Sequence, residues 1–297
     1  MTNYNSLRHF QKKDTTVILG DALDVLDQVV ADGSVNLIFA DPPYNIGKKF
    51  GNSLDKWETD VEYIEWCKEW LSICIRKLSA NGSMYLMTST QSMPFLDIFL
   101  RDKITILSRI VWSYDSSGVQ ARSRFGSMYE PILHCVADEK NYTFNTESIL
   151  VEAKTGAKRK LIDYRKAVPV RYNTQKVPGN VWNFPRVRYR MPEYENHPTQ
   201  KPEALLERII LASSNEEDLI LDPFSGTFTT CAVAQRLNRR CIGIEKELEY
   251  VKTGLRRLGV SEQLDGETLV PLTKNWARQK NRMKNDANKQ AIREFFK

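Results

Sequence analysis

The sequence predicts an α/β fold built on an open, mostly parallel sheet, and two stretches carry that expectation. The apolar run 35–40 ends abruptly in Asp41-Pro42-Pro43-Tyr44. A strand apolar at every position but Asn36 is buried on both faces, as in parallel sheets covered by helices. The second stretch begins with a short apolar strand at 219–221, followed by the tight loop 222–230 (DPFSGTFTT). A helical pattern then runs from about 231 to 237, and a further apolar strand, 240–244, ends in Glu245. Strand, loop, helix, strand and acid form the order of a Rossmann-type nucleotide unit. In such a unit an acid about 20 residues on holds ribose hydroxyls.

The remaining elements follow from periodicity and turn chemistry. Residues 16–19 read as a short strand running into Gly20-Asp21, and 22–30 as a helix with Leu23, Leu26, Val29 and Val30 on one face. The loop 47–56 is polar and contains glycine. A long helix starts at Asp60, with Ile64, Leu71, Ile75 and Leu78 at helical spacing, and Asn81-Gly82 is expected to end it. Strands are expected at 83–87, 105–114 and 130–136. Pro202 suits the first turn of a helix carrying Leu205, Leu206, Ile209 and Ile210.

Composition sets limits on function. The 297 residues accommodate one large α/β domain with an inserted or appended module. No apolar run is long enough to span a membrane, and residues 1–13 lack an apolar signal core, so a cytoplasmic location is expected. Cys67, Cys74, Cys135, Cys231 and Cys241 are odd in number and form no CxxC pair, which argues against a disulfide framework and a zinc site. His9, His134 and His197 are scattered, and His134 reads as a buried or incidental residue.

A net charge of +6 says little by itself, but its distribution says more. Between residues 154 and 190 lie Lys154, Lys158, Arg159, Lys160, Arg165, Lys166, Arg171, Lys176, Arg186, Arg188 and Arg190, with Asp163 the only acid. Tyr164, Tyr172, Trp182, Phe184 and Tyr189 are interleaved. Bases neutralise phosphates, while aromatic and polar side chains reach bases. A solvated basic loop is the alternative. The tail 274–297, rich in Lys, Arg and Asn, reads as an exposed or partly disordered helix with a weak DNA contact as the sharper option.

The chemistry of the two strand ends is specific. Asp41 accepts hydrogen bonds from an amine, Pro42 offers a carbonyl without a competing N–H, and Tyr44 covers a flat ring. Together they suit an exocyclic amino group on an extruded nucleobase, although a plain strand-ending turn has the same residues. The loop 222–230 has one glycine, Gly226, and places Phe228 where a second is expected. It lacks a pyrophosphate fingerprint and fits a nucleoside without phosphates better than NAD or FAD. Phe228 is expected to hold ordinary backbone angles, with its ring against the sheet or lining the pocket.

With DPPYNIG (41–47) and DPFSGTFTT (222–230) stand ILGDAL (18–23), SRIVWSYDSSG (108–118), HPTQKP (197–202) and GIE (243–245). This set resembles the amino-group DNA methyltransferases that use S-adenosyl-L-methionine. The catalytic motif precedes the cofactor motif, as in the circularly permuted beta group, and within it the chain is similar to the YhdJ-type adenine-N6 enzymes. The resemblance covers about 16–258. It departs at Phe228, where the group usually has glycine.

The resemblance implies a seven-stranded, mostly parallel, Rossmann-like methyltransferase sheet with an inserted DNA-recognition region. Residues 1–137 would form the catalytic half, 138–195 the target-recognition region, 196–260 the cofactor half and 261–297 a basic tail. Asp41, Pro42, Pro43 and Tyr44 would be catalytic. Asp222, Phe224, Gly226 and Thr229 would wrap the methionine end of the cofactor. Glu245 would bind its ribose, Asp21 its adenine amine, and Thr199 and Lys201 its carboxylate. Lys158, Arg159, Lys160, Arg165, Arg171, Lys176, Arg186, Arg188 and Arg190 would contact double-stranded DNA, and no metal is required.

The implied reaction is methylation of adenine N6, with ATGCAT as the site suggested by the YhdJ-type relatives. Cytosine-N4 methylation is the alternative within enzymes, and Asp41 favours adenine because cytosine-N4 members more often carry serine there. A non-catalytic DNA-binding module is the alternative outside enzymes. A homodimer and a partner restriction enzyme stay open.

Overall fold

The computed structural model describes residues 8–51, 53–115, 123, 125–154, 160–165, 167–260, 263–264 and 267–268. Among these, nine strands form the main sheet: β1 Arg8–Lys12, β2 Thr15–Leu19, β3 Val35–Ala40, β4 Leu78–Met87, β5 Thr105–Ser113, β6 Tyr129–Val136, β7 Val181–Asn183, β8 Leu219–Asp222 and β9 Arg240–Glu245. Their spatial order is β1-β2-β9-β8-β3-β4-β6-β5-β7. The run from β2 to β4 is parallel, β6 is antiparallel to both its neighbours, β7 is parallel to β5, and β1 is antiparallel to β2. The expected seven strands are present, and β1 and β7 extend them at the two edges. β7 comes from the basic span, so that span is hydrogen-bonded into the sheet.

Helices cover both faces. α1 Ala22–Val29, α2 Asp60–Lys77 and α3 Met93–Arg101 pack in one core with Ile38, Met84, Leu86 and Leu133. α4 Glu203–Ser213, α5 Thr229–Arg236 and α6 Leu248–Arg257 pack in the other with Leu37, Phe39, Tyr85 and Ile220. Alternate residues of β3 therefore serve opposite cores, as the period-2 geometry of a strand requires. α3 was not anticipated. It is only nine residues long and apolar nearly throughout, and Pro94 in its first turn reads in sequence as a breaker.

Two expectations fail for local reasons. α2 ends at Lys77, not at Asn81-Gly82. The Lys77 ammonium is buried and bonds Asp27 at 2.8 Å and Asp32 at 2.7 Å, and Leu78 at once pairs with Val35 in the sheet. Gly82 then lies within β4, where a Cβ would stand 2.9 Å from the Val35 carbonyl oxygen. The glycine thus permits close strand approach at a register irregularity rather than capping a helix.

Phe228 is the second case. It sits at φ 59, ψ 38, in the left-handed region, as the residue before α5. Its ring is fully buried, as expected, against the positions of Gly243 and Gly254. Tight ring packing fixes a conformation that the side chain by itself disfavours.

Among its described residues the basic span has no long regular element. It contains a 3₁₀ turn, Thr146–Ile149, and the short antiparallel pairs Val151–Glu152 with Gln175–Lys176 and Ile162–Asp163 with Val170–Arg171. Lys158, Arg159 and the tail 274–297 lie outside the described residues.

Candidate active site

The carboxyl ends of β2, β9, β8 and β3 open onto one cleft. Such an edge is where open α/β sheets bind ligands. Asp21, Asp41, Phe224, Gly226 and Glu245 line it, together with Trp57, Trp66, His197, Thr199 and Tyr250. A smaller adjoining cavity shares Asp41, His197, Thr199, Phe224 and Gly226, and adds Lys201, Asp222 and Thr229. Asp41 is thus in the wall of both.

Each acid is also held by the backbone beside it. Asp21 caps α1, accepting from Leu23 N at 3.0 Å. Asp222 accepts from Phe224 N at 3.0 Å. Glu245 accepts from Gly226 N and Glu247 N, each at 2.8 Å, and so ties the loop after β8 to the loop after β9. Burial pushes both Asp222 and Glu245 up to about 7, against the pull of those backbone donors. Gly226 has φ +52, and a Cβ there would meet the His197 ring at 3.0 Å, so glycine suits both the turn and the close approach of the ring. Burial, with Lys201 and Lys48 nearby, lowers His197 to about 3, and its ring is neutral at pH 7.

Asp41 is the centre of a charged cluster. Lys201 Nζ donates to its Oδ2 at 2.5 Å, and the Tyr44 hydroxyl to its Oδ1 at 2.6 Å. The same hydroxyl lies 3.0 Å from Glu130 Oε2. Tyr114 donates to Glu130 Oε1 at 3.3 Å, and Lys201 stands 3.8 Å from Glu130. Burial raises Asp41 above its usual range; Lys201 counters this and Glu130 adds to it. Burial alone would pull Lys201 down, but Asp41 and Glu130 more than offset it, so the ammonium stays charged. Lys201, expected near a cofactor carboxylate, turns its ammonium to Asp41.

The loop after Asp41 is built around Asp55. This buried carboxylate accepts from the backbone N–H groups of Tyr44 at 3.1 Å and Asn45 at 2.6 Å, and Asn45 is held at φ 57. The Pro43 carbonyl takes the Tyr63 hydroxyl at 2.8 Å. The hairpin Lys48–Phe50 with Ser53–Asp55 lies across the cleft, with Phe50 against His197, Gly51 N donating to Tyr250, and Ser53 bonded to Glu247. Trp57, Trp66 and Phe224 form one aromatic wall of mutually tilted rings.

The basic residues are dispersed. Arg186 lies 4.9 Å over the Tyr114 ring, and Arg188 donates to the Asp115 carbonyl at 2.8 Å, so both are near the site. Arg165 is held by Asp163 at 2.8 Å. Lys160, Arg171, Lys176 and Arg190 are exposed on the short pairs and loops farther along the span. Arg208, not anticipated, stacks over Trp182 and Phe184.

Glu130, Tyr114, Asp55 and the tryptophan wall were also missed. Glu130 had one available signal, a lone acid opening an otherwise apolar strand. Because β6 runs antiparallel to β4, its first residues lie at the same edge as Asp41.

This sheet and cleft define the class. The chain belongs to the N6_N4_Mtase family, described as DNA methylase, which matches residues 35–256. It is 60% identical over 265 residues to the DNA adenine methyltransferase YhdJ of Escherichia coli, covering 89% of this chain and 90% of that protein. It is 35% identical over 247 residues to the type II methyltransferase M.HpaI of Haemophilus parainfluenzae, covering 82% and 74%. Among solved structures, the cytosine-N4-specific PvuII DNA methyltransferase superposes with TM-score 0.63 at 18% identity, over 90% of each chain. The M1.HpyAVI–SAM complex does so at 0.56 and 24%, over 82% of this chain and 98% of that one. At those identities the likeness concerns the fold.

Proposed function

We propose that this chain transfers a methyl group from S-adenosyl-L-methionine to the N6 amino group of adenine in duplex DNA. The observation that carries the reading is Asp41, within Asp41-Pro42-Pro43-Tyr44, in the wall between the two cavities, in a chain 60% identical to a DNA adenine methyltransferase.

The cleft residues fit the cofactor chemically. Glu245 and Asp21 are acceptors for ribose hydroxyls and an adenine amine, and Trp57, Trp66 and Phe224 offer apolar surface to a flat ring. Asp222, Gly226, Thr229 and Thr199 line the adjoining cavity, which would take the methionine end, with Thr199 as a donor for its carboxylate. Bound there, the cofactor supplies an electrophilic methyl on a sulfonium.

The chain's own contribution is to the amine. The N6 lone pair is delocalised into the adenine ring, which makes it a weak nucleophile. Asp41 and the Pro42 carbonyl accept the two N6 hydrogens and favour a more tetrahedral nitrogen with its lone pair directed at the methyl. Lys201, bonded to Asp41, favours its ionised form against the effect of burial. Tyr44, anchored at its hydroxyl, supplies the ring on which an extruded base stacks. Positioning and preorganised electrostatics then account for the acceleration.

Duplex DNA would lie over Arg186 and Arg188, which reach the site mouth because β7 runs parallel to β5. Lys160, Arg165, Arg171, Lys176 and Arg190 would extend that surface over residues 138–195. The recognition sequence ATGCAT is part of the proposal on the resemblance alone. Long-read sequencing of native DNA from cells with and without the protein tests base and site together. N6-methyladenine at ATGCAT that disappears with the protein supports the reading, and N4-methylcytosine or an unchanged pattern overturns it.

A further inference from the structure

Both oxygens of Asp41 are engaged before any substrate arrives, Oδ1 by the Tyr44 hydroxyl and Oδ2 by Lys201. Each oxygen can accept more than one hydrogen bond, but a target amine, as the adenine-N6 reading requires, would compete there with a donor already in place. A carboxylate oxygen serving a short phenol bond is a weaker acceptor for a neutral aromatic amine.

The Tyr44 hydroxyl has one proton and two carboxylate neighbours, Asp41 at 2.6 Å and Glu130 at 3.0 Å. That proton can serve only one of them at a time. Turning the O–H bond from Asp41 to Glu130 needs no heavy-atom movement, because the second acceptor already lies at hydrogen-bond distance. Glu130 is well placed to receive it. Its carboxylate is about as buried as Asp41, Tyr114 holds its other oxygen at 3.3 Å, and its backbone pairs with Trp112 in the sheet.

We propose that Glu130 is a positioning residue for methyl transfer: it takes over the Tyr44 hydroxyl proton and thereby frees Asp41 Oδ1 for the target amine. Glu130 acts through Tyr44 and does not touch the base. No covalent bond changes; one O–H rotates between two acceptors. Lys201, 3.8 Å from Glu130 and bonded to Asp41, keeps the pair of carboxylates partly neutralised in either arrangement.

The inference rests on the adenine-N6 reading and has its own test. Glu130→Gln keeps the shape but offers Tyr44 either a weaker acceptor or an amide N–H. The amide N–H would drive the phenol proton back onto Asp41. Single-turnover methylation of duplex DNA is measured for wild type, Glu130→Gln, Tyr44→Phe and the double variant, with cofactor and DNA affinities alongside. Glu130→Gln is expected to slow transfer by about tenfold or more with cofactor affinity unchanged, whereas in the Tyr44→Phe background, which lacks the competing proton, it should change the rate by less than about twofold. Multiplicative effects in the cycle, or a normal rate for Glu130→Gln, would overturn the proposal. If Glu130→Gln does not fold, Glu130→Asp draws the carboxylate back from Tyr44 and is read by the same cycle. Wild-type protein that methylates no adenine would sink the functional reading itself, a separate outcome.

Discussion

Replacing Phe228 with glycine sets two effects of opposite sign against each other at one residue. The ring is fully buried, in contact with the positions of Gly243 and Gly254. Emptying a buried phenylalanine site costs about 3–5 kcal/mol. Against this, glycine relieves the left-handed backbone at φ 59, worth about 1–2 kcal/mol. Glycine also loses about 0.5–1 kcal/mol through the greater freedom of the unfolded chain. The net is a destabilisation of about 2–5 kcal/mol, so a thermal melt should fall by several degrees, at about 2–4 °C or somewhat less per kcal/mol for a chain somewhat above 250 residues. A second substitution checks the mechanism. A Cβ on Gly254 would overlap the Phe228 ring, so Gly254→Ala should destabilise the wild type by about 1–3 kcal/mol. In Phe228→Gly protein the same methyl enters vacated space and should be neutral or stabilising. Melts of the four proteins decide. If Phe228→Gly melts with the wild type, or Gly254→Ala is equally harmful in both backgrounds, the ring is not what holds this loop.

Asp41→Ala should abolish methyl transfer while cofactor binding survives; it also leaves the buried Lys201 ammonium without its nearest partner, a loss of about 3–5 kcal/mol that a melt would register. Near-normal turnover would refute the amine-orienting role. Burial holds Glu245 at about 7 and Asp222 at about 7, above their ordinary 4.5 and 3.8, so the folded chain binds more protons than the unfolded one between those values. Stability from these two groups is therefore greatest below that window and is lost as pH rises through about 7. Ribose hydroxyls donating to ionised Glu245 should release protons on cofactor binding near pH 6.5–7. Titration calorimetry in buffers of different ionisation enthalpy should show that release, and Glu245→Gln should remove it. Arg186→Ala with Arg188→Ala should weaken DNA binding and reduce the salt slope by about one unit per lost phosphate contact, with cofactor affinity unchanged. An unaltered slope would locate the phosphate contacts elsewhere.

What the sequence revealed of the site was what lies contiguously in it. Asp41 to Tyr44, Asp222 to Gly226 and Glu245 each close an apolar strand, and a strand-ending acid in a parallel sheet has only one edge to occupy. Glu130 was marked only as a lone acid opening a strand; its place at the site depends on the direction of β6, which no local pattern encodes. The Lys201–Asp41 pair joins residues 160 apart in sequence, and only the closed fold brings them together. At the end of α2, helical spacing ran on through Leu78, but tertiary pairing of Lys77 and strand pairing of Leu78 stopped the helix earlier. At Phe228 intrinsic preference pointed to ordinary backbone angles, and ring packing against Gly243 and Gly254 overrode it.

The central claim is tested most directly by nucleoside mass spectrometry of duplex DNA incubated with purified protein and isotopically labelled S-adenosyl-L-methionine. The account predicts label in N6-methyladenine with wild-type protein and none with Asp41→Ala. Label in N4-methylcytosine, or in no nucleoside although the cofactor binds, would contradict it.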